Sequence, residues 1–297
     1  MEGAPRTAVP PWTPAVLVTG LVAVSTAAVL IRLTEAPSLT IAFWRITIAG
    51  ALLLPVWLSH QRRAQLRGLD TAQRWRLAGA GFFLGIHFAA WIASLAYTSV
   101  AVSVLLVTTN PVWVGLLSPW VVGERPSRRA WVGIIIATAG AGVVAMDGSG
   151  GAYPDAMLGN GLALLGALSA SAYFMMGRRV RPEMDIWGYT SSTLLGAWVV
   201  LAIAVLIGGS PLLGFPLSSW GWLVAMALGP QLIGHGSLSW ALRYVRADVV
   251  AVTLLAEPIG AALLAWWVLA EVPGEYALLG APLLLVGIGV VARENTG

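Results

Sequence analysis

The 297 residues contain no cysteine and no lysine, three histidines, and only 10% charged residues. Without cysteine, disulfides and thiolate metal sites are excluded. With three histidines, one of them His60 outside the apolar runs, no tetrahedral metal centre is expected. There is no HExxH, no G-x-S-x-G and no pair of Asp within an apolar run. The usual parts for hydrolysis are therefore missing, and neither an enzyme nor a cofactor is expected. The net charge of +4 and pI near 10 come entirely from arginines set in short clusters between apolar runs. They line no single face, so nucleic acid is not expected as a partner.

What is present is apolar: 58% of residues are hydrophobic and the mean hydropathy is +0.81. One aqueous core cannot hide that much apolar surface. A helix needs about 20 apolar residues to cross a hydrocarbon layer of about 30 Å. Ten segments qualify, at about 14–33, 37–58, 77–97, 99–120, 131–146, 157–177, 186–208, 220–240, 249–270 and 276–293. Continuous rather than alternating runs favour helices over a β-barrel. The stretch MEGAPRTAVPPWTP lacks the marks of a signal peptide, so no processing is expected. If both termini are cytoplasmic, fifteen of the seventeen arginines fall on the inside, leaving Arg32 and Arg45 at or within spans.

Sliding the sequence by 147 residues lays 93–145 over 240–292 with seventeen identities and no gap. The informative matches are Tyr97/Tyr244, Pro111/Pro258, Trp120/Trp267, Glu124/Glu271, Pro126/Pro273, Gly133/Gly280, Gly140/Gly287 and Gly142/Gly289. Each unit holds five spans, an odd number, so the second enters the membrane from the opposite side. The expected fold is an all-α integral membrane protein of ten transmembrane helices in two inverted five-helix repeats: a tail at 1–13, then 14–146 and 157–293. Paired mid-span prolines, Pro111 and Pro258, predict kinks that act as hinges around a midplane site.

Three stretches, AFWRITIAGALLLP, NPVWVGLLSPWVVGERP and ALRYVRADVVAVTLLAEPIGAALLAWWVLAEVP, carry a resemblance over nearly the whole chain to the EamA-like branch of the drug/metabolite transporters. The ten-span form is similar to bacterial aromatic amino-acid exporters of the YddG type. The resemblance implies cytoplasmic termini and a cavity lined mainly by spans one, three, four, six, eight and nine. It also implies export of amino acids or related metabolites.

Glu257 is the one acidic residue well inside a span, where a carboxylate costs about 2.5–3.5 kcal/mol. It is expected to face the cavity and bind an amine or carry a coupling proton, and its repeat equivalent is the neutral Asn110. Two polar stripes are drawn on helical spacing: His87, Trp91 and Ser94, and Gln231, His235 and Ser239. Trp91 offers a stacking surface, and the imidazoles, His235 above all, are candidates for proton coupling. Ser25, Ser171 and Tyr173 are further candidate cavity residues. Arg45 reads as structural, because span two is peripheral in the resembling fold, with binding of a substrate carboxylate as the alternative. Together these predict a monomeric secondary transporter of the bacterial cytoplasmic membrane, exporting amino acids by alternating access. Efflux of small cationic drugs is the alternative, and a membrane-embedded enzyme is the alternative of a different class.

Overall fold

In a computed structural model of the chain, residues 9–121, 127–147, 153–241, 244, 253–254 and 256–294 are described, and among them there is no strand. Helices α1 (Thr13–Ser25) and α2 (Ala27–Leu33) form one nearly continuous rod, followed by α3 (Ser38–Leu52), α4 (Leu54–Leu58) and α5 (His60–Gly68). The first half continues with α6 (Thr71–Ser94), α7 (Val100–Val107), α8 (Asn110–Val121) and α9 (Arg128–Ala145). The second contains α10 (Ala156–Val180), α11 (Ile186–Gly208), α12 (Leu217–Met226), a π-helical segment (Ala227–His235), α13 (Gly236–Ala241), α14 (Glu257–Leu269) and α15 (Glu275–Glu294).

The starts are written in the sequence. Asp70 and Gln73 form a reciprocal capping box at α6, and the side chains of Ser99 and Asp185 accept from Val102 N and Gly188 N at the starts of α7 and α11. Among the described residues six helices or helix pairs are long and apolar enough to cross a membrane: 13–33, 71–94, 100–117, 128–145, 156–177 and 186–208. Ser38–Leu52, Glu257–Leu269 and Glu275–Val290 are shorter apolar helices. The expected run 37–58 is interrupted at Leu53, ahead of Pro55, and the run 220–240 carries Pro230 inside its π-helical segment. A proline supplies no backbone donor and crowds the preceding turn, which is where such irregularities arise.

Pro111 and Pro258 differ from the expected mid-helix kinks. The helix stops at Val107, Thr108 and Thr109 intervene, and α8 restarts at Asn110 with Pro111 as its second residue. In the second half α14 likewise starts at Glu257, with Pro258 next. Proline suits the first turn of a helix, where its missing N–H would have no partner anyway. These prolines therefore begin half-helices rather than bend whole ones.

Glycines set the closest approaches. α9 and α15 meet backbone to backbone: a Cβ on Gly140 would collide with Leu284, and one on Gly287 would collide with Ala137. Gly280 is equally tight against Val144. The contact moves up one helix as it moves down the other, so the two run antiparallel. Shifting the Ala137–Gly287 contact by the 147-residue repeat and exchanging partners gives Leu284–Gly140. On the opposite flank Gly81 of α6 faces Gly196 of α11, a Cβ there lying 2.8 Å from the other's Cα. Large apolar side chains cover the exterior, among them Leu206, Ile207, Leu217 and Trp267, each more than three-quarters exposed. Such a surface suits lipid rather than water.

Candidate functional site

The two helix breaks and the π-helical segment converge on a cavity of about 60 Å³. Val24 and Ala27 line it from α1 and α2, Leu84, His87 and Trp91 from α6, and Val107, Thr108 and Asn110 from the first break. Ala170, Tyr173 and Phe174 enter from α10, Pro230, His235 and Leu238 from the π-helical region, and Leu254 and Glu257 from the second break. Arg45 completes the wall from α3. It is fully buried, and the span expected to be peripheral brings it to the cavity.

Six of the nine candidate cavity residues line this space: Glu257, Asn110, His87, Trp91, His235 and Tyr173. Glu257 is partly buried as the first residue of α14, where the aligned backbone dipoles favour a carboxylate. Among the described residues it has no hydrogen-bond partner. Asn110 occupies the corresponding first position of α8, its amide nitrogen reaching Ala167 O at 2.8 Å and Val107 O at 3.1 Å. His87 Nδ1 lies 2.9 Å from Gly166 O, so this nitrogen carries the proton and Nε2 is left to accept. The His87 ring stacks on Trp91 with 5.9 Å between centroids, and Phe88 meets His235 edge-on at 5.8 Å. Phe88 and His235 are themselves 147 residues apart.

Three candidates lie elsewhere. Ser25 donates to Leu21 O and Ser171 to Ala167 O and Asn110 O, each satisfying backbone rather than facing the cavity. Gln231 is buried behind the wall, where its Oε1 accepts from Arg45 Nε at 3.0 Å. Its expected stripe with His235 assumed α-helical spacing, and the π turn between them widens it. Ser94, expected beside His87 and Trp91, is instead bonded to Ser103 Oγ and Trp91 O. Among the described residues no group of three or more potential ligands could hold a metal ion.

A second polar cluster closes one end of the bundle. Arg32 Nη2 donates to Thr98 O and Tyr153 Oη, and pairs with Glu271 at 3.6 Å. Glu271 in turn accepts from Val100 N at the start of α7. Four separate stretches are tied there by two charged side chains. The sequence marks Arg32 only as a helix end, and nothing local joins it to Glu271.

The EamA-like transporter family matches the chain twice, over residues 12–146 and 157–293. The chain belongs to this family. As an EamA-like protein it is a multi-pass membrane protein built of two family repeats, in a family of small-molecule transporters rather than enzymes. An uncharacterised transporter of Archaeoglobus fulgidus is 23% identical over 94% of this chain and 96% of its own length. The uncharacterised transporter YdfC of Bacillus subtilis is 26% identical, covering 84% of this chain and 79% of its own. A riboflavin transporter of Rhizobium johnstonii is 25% identical over 87% and 82%. One crystal structure shares the fold at a TM-score of 0.62 and 21% identity, covering 96% of this chain and 99% of its own.

Proposed function

We propose that this protein exports amino acids, aromatic ones included, or related small metabolites across the bacterial cytoplasmic membrane by opening its central cavity to either side in turn. The observation that carries the reading is Glu257, a carboxylate at a half-helix start with no hydrogen-bond partner among the described residues, facing a cavity walled by Trp91, Tyr173 and Phe174. An ammonium group takes the carboxylate, and an aromatic or aliphatic side chain takes the rings. The architecture is ten spans in two inverted repeats with both termini cytoplasmic, and the antiparallel, repeat-related contacts of α9 with α15 support it. Broken helices at Pro111 and Pro258 are the hinges, and rocking one repeat against the other exchanges the open face. Glu257, with His235 across the cavity, is the candidate carrier of a coupling proton.

The test is uptake by liposomes containing the purified protein. Radiolabelled phenylalanine, tryptophan and leucine are compared with riboflavin and a cationic dye, with and without a pH gradient. Saturable amino-acid uptake that is lost in Glu257→Gln at normal expression supports the reading. Dependence on the gradient assigns proton coupling. Dye or riboflavin movement without amino-acid uptake replaces the cargo class, and undiminished uptake in Glu257→Gln removes Glu257 from the mechanism.

A further inference from the structure

Among the described residues Arg45 holds the only guanidinium on the cavity wall, and its surroundings leave most of it unused. It is 0% exposed, and its Nε is taken by Gln231 Oε1 at 3.0 Å. Nη1 and Nη2 are buried and have no hydrogen-bond partner among the described residues. The guanidinium carbon lies 4.4 Å from the Phe88 ring centroid and 6.0 Å from that of Trp91. Gln231 and the two rings therefore fix the plane of the fork, while the Nη edge remains free. Glu257 lines the same cavity, yet among the described residues the only ion pair is Arg32 with Glu271.

Arg32 shows what a structural arginine looks like in this protein: its Nη2 bonds a carbonyl and a hydroxyl and its charge faces a carboxylate. Among the described residues the Arg45 Nη groups bond no oxygen and no carboxylate stands within ion-pair distance, although Arg45 is buried more deeply and burying a charge with free donors is costly. A planar fork with two free parallel donors is the geometry that takes a carboxylate through two hydrogen bonds.

We propose that Arg45 is the anion-binding residue of the cavity, taking the carboxylate of the cargo on its two free Nη groups, so that the cargo is a zwitterion rather than a simple organic cation. This rests on the reading of the cavity as the cargo site, with Glu257 receiving the amine. Among the described residues no ion pair joins the two opposite charges of this cavity; the cargo completes both, and its side chain lies against Trp91, Tyr173 and Phe174.

Three probes with one ring and different charges separate the parts: L-phenylalanine, phenethylamine and 3-phenylpropanoate. Their effect on thermal unfolding is titrated for the purified full-length protein, Arg45→Gln, Arg45→Lys and Glu257→Gln. L-Phenylalanine should stabilise the wild type at the lowest concentration. Arg45→Gln should weaken L-phenylalanine and 3-phenylpropanoate at least tenfold and leave phenethylamine within twofold, with Glu257→Gln doing the reverse for the two charged ends. Arg45→Lys, which keeps the charge but not the fork, should fall between, and it carries the test if Arg45→Gln does not fold. Equal weakening of phenethylamine and the carboxylates in the Arg45 variants overturns the proposal, as does failure of both carboxylates to stabilise the wild type. If the carboxylates bind through Arg45 but liposomes take up no phenylalanine, it is the export reading that fails.

Discussion

Asn110 and Glu257 stand 147 residues apart, each the first residue of a half-helix, each followed by proline and each on the cavity wall, and they are bonded differently. The Asn110 amide is engaged by two carbonyls, and Ser171 bonds its backbone oxygen, so this break is satisfied from within. Glu257 has no such partner among the described residues and faces the cavity. One backbone geometry thus occurs twice, once as a closed structural joint and once, in the proposed function, as an open binding position. A duplicated fold need not have two sites; a single change of side chain at one break separates the roles.

The comparison breaks most severely in Glu257→Asn, which makes the two positions alike. Loss of one charge-assisted contact to cargo, about 1.5–3 kcal/mol, should lower amino-acid uptake about 10- to 100-fold while the melting temperature holds. Asn110→Ala should show the converse. It leaves the Ala167 and Val107 carbonyls without their donor and should destabilise by about 1–2 kcal/mol in thermal unfolding, with uptake retained. A variant that loses transport without losing stability would give Asn110 a part in cargo binding. The mildest probe is Ala270, which ends α14 at φ 53°, a left-handed conformation, where the first repeat has Gly123. Ala270→Gly should relieve strain and raise stability by up to about 1 kcal/mol, leaving uptake unchanged.

The apolar helices and the repeat are legible in the sequence because long apolar runs, paired prolines and the 147-residue shift are local or periodic signals. Glu257 is legible because it is isolated in an apolar run. Arg45 is not, and the reason lies in α3. Residues on several sides of it, including Ile41, Ala42, Phe43 and Ile46, are all buried, so apolar periodicity does not indicate which side faces the cavity. Its partner Gln231 is 186 residues away on a π turn that spacing rules do not anticipate. The Arg32–Glu271 pair is hidden for the same reason: both residues sit at helix ends, and only the tertiary fold brings them together.

The glycine contacts of α9 with α15 also constrain how the bundle can deform. Side chains that interlock can ratchet past one another by changing rotamer, but two backbones in direct contact have no such freedom. This pair is therefore a fulcrum: in any rocking motion of the proposed cycle it stays fixed, and the displacement is taken up where helices are already interrupted, at Thr108–Thr109, before Glu257 and through Ala227–His235. A residue as small as alanine at Gly140 or Gly287 should jam the lever arm before it touches the cargo.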